Sequence, residues 1–389
     1  MRVFILAGEP SGDKLGGALM AGLKTLVPDV TFEGIGGLEM TAQGLTSRFD
    51  MSELSVMGLA EILPKYRALM ARINQTAEAV VEMAPDVLIT IDRPDLSFRV
   101  AHRVKAKSNI RTVHYVAPTV WAWRAGRAQK IAAYVDQVLA LLPFEPPYME
   151  AAGMRCDFVG HPVVAEPVAS EDDAQAFRAR HGLGAAPVAL VLPGSRQSEV
   201  SRLGPVFQQV VARLGRERPD LRIVIPAAAP VVGAVRRLTQ NWDPQPVILN
   251  PLDQNVADPA AEKRAAFRAA DVALAASGTV SLELAASQTP MVIAYDMNWL
   301  SRQIIGRMVK LDTVTLVNLV SETRTVPEYI GANCLPGPIA AEVLKVLEAP
   351  GDQLAAMAVT MERLGQGGEA PGLRAARAVV EGIEAQRPR

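Results

Sequence analysis

The stretch Val188-Ala189-Leu190-Val191-Leu192-Pro193-Gly194-Ser195-Arg196-Gln197-Ser198-Glu199-Val200 decides the fold. Five apolar residues in a row, mostly branched, lack period-2 alternation, the pattern of a short strand buried on both faces. Proline and glycine then break the run, and a helix-like segment starts after Ser195. Strand, small-residue turn and helix form the first half of a β-α-β unit. The unit recurs in both directions. Downstream, apolar runs at 221–225, 247–249, 272–275 and 291–294 alternate with helix-like stretches. Upstream, runs at 3–7, 31–34, 87–91, 111–116, 137–140 and 156–159 alternate with helical patterns at 16–26, 62–83 and 126–133. The pattern weakens over 162–170, where Pro162 and Pro167 mark a linker. The expected fold class is therefore α/β, two Rossmann-like domains facing a cleft, with bounds 1–165 and 166–364. A last helix, about 373–385 within a tail of 365–389, is free to pack on either domain.

Bulk properties narrow the function. The 389 residues exceed one ordinary core, and 49% hydrophobic with 21% charged residues is a globular balance. A net charge of −1 excludes polyanion binding by the chain as a whole. Cys156 and Cys334 have no C-x-x-C spacing and form no disulfide framework, which fits a reducing compartment. The apolar run at 3–7 is too short for a signal peptide and reads as a first strand. No long uncharged apolar stretch predicts a membrane span. With no D-x-D tripeptide and four scattered histidines, neither a metal site nor a cofactor is expected.

In open parallel sheets ligands bind beyond the carboxyl ends of the strands. After the first strand, Gly8-Glu9-Pro10-Ser11-Gly12-Asp13 is either an anion-binding turn or a plain turn with Ser11 or Asp13 as helix cap. Gly34-Ile35-Gly36-Gly37-Leu38-Glu39 fails the dinucleotide fingerprint at its last glycine and follows the wrong strand. Asp92-Arg93-Pro94-Asp95 puts a carboxylate at a strand end, suited to general base work or to capping. Trp121 and Trp123, followed by Arg124, Arg127 and Lys130, place aromatic surface beside positive charge, though core packing explains at least one Trp. His161 lies at the junction, as a ligand contact or a structural histidine.

In the second half, the Gly194 and Ser195 amides with the Arg196 guanidinium suit a phosphate, or form a turn with a surface Arg. The loop lacks the lysine of a P-loop, so ATP hydrolysis is not implied. Ser277, Gly278 and Thr279 open another helix after a strand, facing where a diphosphate would lie. Glu283, four residues beyond Thr279, is placed to accept ribose hydroxyls or to complete a near capping box. With no metal site expected, Arg196 and helix N-termini would stabilise a departing diphosphate.

These segments, with Ser55-Val56-Met57-Gly58, Leu141-Leu142-Pro143-Phe144-Glu145, Phe158-Val159-Gly160-His161, Leu192-Pro193-Gly194-Ser195-Arg196 and Val317-Asn318-Leu319-Val320, resemble in order the lipid-A-disaccharide synthase family. The resemblance spans nearly the whole chain and implies a glycosyltransferase-B architecture and an inverting transfer. It implies UDP-2,3-diacylglucosamine as donor and 2,3-diacylglucosamine 1-phosphate as acceptor, giving the β(1→6) disaccharide 1-phosphate and UDP. It further implies work at the inner face of the cytoplasmic membrane of a Gram-negative bacterium, with no nucleic-acid partner. Carried over, Asp92 is the base, Arg196 is the arginine of the P-G-S-R loop and Asn318 the asparagine of the N-L segment. With Gly194, Ser195, Ser277, Gly278, Thr279 and Glu283, read from their loops, Arg196 and Asn318 make up the donor candidates. Glu9, Ser11, Gly12, Asp13, Trp123, Arg124 and His161 are acceptor or cleft candidates. Pro10, Ala117 and Thr119 depart from the family's usual residues, small changes that bear on acceptor contacts.

Acylated substrates require a bilayer-facing surface. Val56, Met57, Leu59, Ile62, Leu63, Tyr66, Leu69 and Met70, interleaved with Lys65, Arg67 and Arg72, match an interfacial helix on anionic phospholipid. An ordinary amphipathic helix over the sheet has the same periodicity. Pro64 is expected to start or kink that helix. A UDP-sugar epimerase, a cell-wall glycosyltransferase and a non-catalytic nucleotide-sugar binder share this fold-level reading. An epimerase needs no acceptor or lipid-facing surface, and a binder has no use for Asp92.

Overall fold

The computed structural model describes residues 1–54, 59–121, 126–296 and 312–386, the side chains of 59–65 excepted. The chain divides into two units, Met1–Ala165 with Leu364–Arg389, and Glu166–Arg363.

Unit 1 is a parallel six-stranded sheet of β1 (Arg2–Ala7), β2 (Thr31–Ile35), β3 (Val87–Ile91), β4 (Arg111–Tyr115), β5 (Gln137–Ala140) and β6 (Arg155–Phe158), in the order β2-β1-β3-β4-β5-β6. Its helices are α1 (Pro10–Leu26), α2 (Leu38–Ala42), α3 (Leu59–Met83), α4 (Pro94–Lys105), α5 (Arg127–Ile131) and α6 (Pro146–Glu150). Strand pleating divides β1 between two cores. Val3, Ile5 and Ala7 pack with Leu19 and Leu23 of α1, while Phe4 and Leu6 pack with Ile73 and Val80 of α3 and Val100 of α4.

The closing helix Pro371–Glu384 belongs to unit 1 and lies against α1. Glycines permit the close approach. A Cβ on Gly22 would stand 2.7 Å from the Gly372 carbonyl oxygen, and one on Gly372 would stand 2.6 Å from that of Ala18. Arg155 pairs with Glu381 at 3.0 Å, and Gln137 donates to the Ala378 carbonyl at 2.9 Å.

Several expectations need correcting. The helix expected at 16–26 begins at Pro10, so Ser11, Gly12 and Asp13 belong to its first turns rather than to a loop, and neither Ser11 nor Asp13 caps it. Proline at the first helical position explains the early start, since its missing N–H would have had no partner there. Pro64 does not start a helix, because α3 runs through it from Leu59. Residues 162–165 are a short 3-10 turn rather than irregular linker.

Unit 2 repeats the plan with β7 (Val188–Leu192), β8 (Arg222–Pro226), β9 (Val247–Leu249), β10 (Val272–Ala276), β11 (Met291–Tyr295) and β12 (Glu328–Ile330), all parallel, in the order β12-β11-β10-β7-β8-β9. It contains α7 (Glu171–Arg180), α8 (Gln197–Glu217), α9 (Val232–Thr239), α10 (Pro259–Ala269) and α11 (Val280–Ala286), then helices Leu316–Ser321, Pro336–Glu348 and Gln353–Arg363. A Ser170–Asp173 capping box starts α7. On α8, Val200, Leu203, Phe207, Val210, Val211 and Leu214 recur at helical spacing and are all buried. Burying side chains of this size stabilises by about 1.5–3 kcal/mol each.

Both sheets reverse direction once. In unit 1 the chain leaves β1 for β2, then crosses to β3 on the other side of β1. In unit 2 it runs β7-β8-β9, then crosses to β10 beside β7. Loops that leave adjacent strands in opposite directions open a crevice at such a switch point.

Candidate active site

In unit 1, β1 and β3 end side by side, with Ala7 paired to Ile91, so Gly8–Glu9 neighbours Asp92–Arg93. Asp92 and Arg93 are consecutive non-glycine residues in the left-handed region, with φ of 50° and 45°. Each such conformation costs about 1–3 kcal/mol and persists only where its surroundings impose it. Here the Asp92 amide donates to the Tyr115 carbonyl at 2.9 Å, and Ser97 Oγ donates to the Asp92 carbonyl at 2.7 Å. Arg93 is anchored by Glu9 at 2.5 Å and by the Leu54 carbonyl at 2.6 Å. The strain thus turns Asp92 out at the sheet's carboxyl edge, where it is half-exposed. Its side chain takes no hydrogen bond or ion pair among the described residues.

Other unit 1 candidates have structural work. Glu9 is engaged by Arg93. Ser11 is exposed, and Gly12 is buried, where an added Cβ would meet Ala7 and Ile91 at an ordinary contact distance of 3.5 Å. Asp13 is 4% exposed, and its carboxylate accepts the amides of Gly37 at 2.7 Å, Glu39 at 2.9 Å and Met40 at 3.1 Å. It therefore caps α2, a helix 24 residues or more downstream, instead of facing a ligand. His161 is buried, its Nδ1 accepts the Val163 amide at 3.1 Å, and its own amide donates to the Leu364 carbonyl where the chain re-enters unit 1. Trp123 and Arg124 lie outside the described residues, as do the side chains of Val56, Met57, Leu59, Ile62 and Leu63. Of the membrane-facing candidates that are described, Tyr66 is 46% exposed. Leu69 and Met70 are instead half-buried against the core beneath α3, because helical periodicity brings them onto the face of Ile73 and Ala77.

Sequence reasoning missed Glu145 as a functional candidate. It is 3% exposed and accepts Trp121 Nε1 at 3.2 Å and the Leu141 and Leu142 amides at 3.1 and 3.0 Å. Burial pushes its carboxyl up to about 7 against those three donors. Its signal was the acidic residue inside the otherwise apolar run Leu141-Leu142-Pro143-Phe144-Glu145. Trp121, stacked edge-on to Phe144 at 5.0 Å, ties this acid to the loop after β4. His114 is buried, hydrogen-bonded to Thr90 at 2.8 Å, and driven down to about 3 by burial first and the Arg127 charge second. It is a neutral packing residue.

In unit 2, β7 and β10 are adjacent, with Leu192 paired to Ala275, which sets Pro193–Arg196 beside Ser277–Thr279. The phosphate cradle expected at Gly194–Arg196 is occupied by the chain itself. Glu199 Oε2 accepts the Ser195 and Arg196 amides at 3.0 and 3.2 Å, and Oε1 accepts Arg196 Nη1 at 3.2 Å. Gly194 has φ 115°, and a Cβ there would stand 2.4 Å from that same carboxylate. A carboxylate in this position stands where an anionic ligand would lie, an arrangement local to one helical turn that composition could not disclose. Arg196 remains 66% exposed.

Thr279 sits at the start of α11 without a side-chain cap, so the near capping box with Glu283 does not form. Glu283 instead pairs with Lys263 of α10 at 2.5 Å, so a ribose would have to share it with that lysine. Asn318 is 1% exposed, and its amide group donates to Thr313 Oγ1 and the Val326 carbonyl while its oxygen accepts the Val326 amide. All of that bonding goes to the chain, so Asn318 locks the 313–326 segment.

Among the described residues no group of three His, Cys, Asp or Glu could hold a metal ion, and no helix is long and apolar enough to cross a membrane.

Comparison with known proteins supplies the family. Residues 3–376 match the model described as lipid-A-disaccharide synthetase. The lipid-A-disaccharide synthase of Ruegeria pomeroyi is 62% identical over 381 residues, covering 98% of this chain and 95% of that one. That of Rhodospirillum centenum is 45% identical over 387 residues, covering 98% and 94%. In shape, the chain is similar to the UDP-GlcNAc 2-epimerase of Neisseria meningitidis, bound in its structure to UDP-GlcNAc, with TM-score 0.64, 12% identity and coverage of 99% and 100%. At that identity the likeness carries the glycosyltransferase-B type of fold alone, whereas the sequence matches carry the activity. The chain belongs to the lipid-A-disaccharide synthase family of glycosyltransferases.

Proposed function

We propose that the chain transfers 2,3-diacylglucosamine from UDP to the 6-hydroxyl of 2,3-diacylglucosamine 1-phosphate with inversion, forming the β(1→6) disaccharide 1-phosphate. Unit 1 supplies the base and receives the acceptor, and unit 2 holds the donor. Asp92 takes the proton from the acceptor hydroxyl as its oxygen attacks the anomeric carbon. The C–O bond to UDP breaks on the opposite face, and the diphosphate leaves with its electron pair. Arg196 turns from Glu199 to that diphosphate, beside the α11 N-terminus, in a charge-assisted interaction that replaces an internal one. Asn318 and Asp13 serve by holding backbone in place. The apolar start of α3, with Tyr66 exposed, meets the inner face of the cytoplasmic membrane.

The observation that carries this reading is Asp92, a carboxylate turned out by two successive left-handed residues at a strand end, with no partner among the described residues. Strain kept at one carboxylate is what positioning a base requires. The test is incubation with both lipids in detergent micelles containing EDTA, following UDP and lipid product by mass spectrometry. Tetraacyl disaccharide phosphate with equimolar UDP is expected. Asp92→Asn should lower kcat roughly 10²–10⁴-fold with unchanged folding. Near-normal turnover in that variant would remove Asp92 as base, and UDP release without disaccharide would overturn the transferase reading.

A further inference from the structure

Unit 1 has a cavity of about 310 Å³ between α4 and α5 that the base and the donor loops do not use. That volume is at the small end of ligand pockets, roughly 300–1,000 Å³. Its apolar lining is Phe98 and Tyr134, tilted rings 5.9 Å apart, with His102 edge-on to Tyr134 at 5.5 Å. Its polar lining is cationic. Arg99 and Arg103 come from α4 four residues apart, and Arg127 and Lys130 from α5 three apart, so each pair shares a helix face. A single carboxylate, Asp95, stands at the cavity, fully exposed and 3.9 Å from Arg127. Four permanent cations against one acid is a concentrated charge in a chain whose net charge is −1.

The fold does not use all of this charge. Arg103 is tied to Asn74 at 2.7 Å and to the Arg99 carbonyl at 3.0 Å, and Arg127 lies over the Phe98 ring at 5.6 Å. Lys130 has no hydrogen bond or ion pair among the described residues, and the Arg99 guanidinium has only the Met70 thioether at 3.7 Å. Like charges gathered without partners repel, and a bound anion relieves that repulsion. The field also reaches inward, since the Arg127 charge helps hold His114, stacked on Phe98 at 4.5 Å, neutral.

Placement suggests which anion. The helix bearing Arg99 and Arg103 begins two residues after Asp92, and Pro94 and Asp95 of its first turn line the cavity. At 1.5 Å per residue, the two guanidinium-bearing positions lie roughly 8 and 14 Å along the helix from its start. A hexose that offers a hydroxyl at one end and a phosphate at the other is suited to that span, and aromatic walls suit its ring.

We infer that the α4–α5 cavity is the phosphate subsite of the acceptor, taking the monoester of a glycosyl 1-phosphate whose free hydroxyl reaches Asp92. The assignment rests on the acceptor class proposed above. It makes Arg99 and Lys130 specificity residues: the acceptor is recognised by its charge at the end far from the new bond.

The test uses α-D-glucosamine 1-phosphate as probe, with glucosamine as the uncharged control, titrated calorimetrically into the full chain and into Arg99→Ala and Lys130→Ala. Both side chains are exposed, so each variant should fold. The phosphate sugar should bind and glucosamine should not, with each variant weakening the probe about 10-fold or more. KM for the lipid acceptor should rise in step while the donor KM stays unchanged. Sedimentation with phosphatidylglycerol vesicles should be the same for all three proteins. Unchanged probe affinity in both variants overturns the subsite, and so does loss of vesicle binding alone, which would give the cavity to a membrane headgroup. If disaccharide forms normally with unaltered acceptor KM in both variants, the subsite fails and the transferase reading survives. If no disaccharide forms yet the variants lose the probe, the transferase reading fails and phosphate binding stands.

Discussion

Replacing Asp13 should damage the fold in a graded way that its bonding dictates. The carboxylate is buried and accepts three amides: one oxygen takes those of Gly37 and Met40, the latter in a buried bond, and the other takes that of Glu39 in a part-buried bond. In Asp13→Ala, the Met40 amide loses its partner away from water, costing about 1–3 kcal/mol. Loss of the same acceptor by the Gly37 and Glu39 amides adds about 0.5–2 kcal/mol. The sum is roughly 2–5 kcal/mol, and for a unit of this size 1 kcal/mol moves Tm by about 2–4 °C. A fall of roughly 5–15 °C is therefore expected by calorimetry. Asp13→Asn retains one oxygen for the Gly37 and Met40 amides and loses the acceptor of the Glu39 amide alone, so its fall should be smaller than that of alanine. Equal losses in the two variants, or a fall under about 2 °C for alanine, would refute the capping role and return Asp13 to the list of ligand contacts.

Arg196→Ala should weaken UDP binding about 10-fold or more by titration calorimetry. Tm should hold, because the guanidinium is 66% exposed and its only ion pair among the described residues is with Glu199, three residues on. Glu145 makes stability depend on pH: its folded carboxyl titrates near 7 and its unfolded one near 4.5, so between those values the folded state binds more protons. Its contribution is thus fully present below about pH 4.5 and is lost as pH rises to about 7, at up to about 1.4 kcal/mol per pH unit. Denaturant midpoints measured at pH 5 and pH 8 should diverge less in Glu145→Gln than in the parent chain.

What the sequence disclosed depended on the range of the forces involved. The runs at β1, β3, β7 and β10 were legible because strands buried on both faces need unbroken apolar residues. β12 was missed because Glu328–Ile330 is three half-buried residues with a charge and a phenol among them, held by pairing to β11. The start of α1 was misplaced because Ser11, Gly12 and Asp13 are poor helix formers, while Pro10 at the first helical position and the bonds of Asp13 to Gly37, Glu39 and Met40 override that propensity. The loops after β3, β7 and β10 were legible as candidate sites, since their place follows from strand ends. The partners of their side chains were not. Asp13 reaches 24 to 27 residues onward, Glu283 reaches back to Lys263, and Glu199 turns onto its own cradle. Tertiary geometry sets the first two, which no local pattern encodes; the third is a capping box within one helical turn.

The return of the closing helix to unit 1 has a consequence for synthesis. Unit 2 is one continuous stretch, Glu166–Arg363, while unit 1 needs two stretches that flank it, Met1–Ala165 and Leu364–Arg389. On the ribosome, the groove of α1 at Ala18 and Gly22 therefore waits uncovered while some 200 residues are made, roughly 10–40 s at 5–20 residues per second. Unit 2 can mature first, although it emerges second. A nascent chain stalled before residue 371 would present an open apolar seam to chaperones and proteases, a seam that only helix Pro371–Glu384 closes.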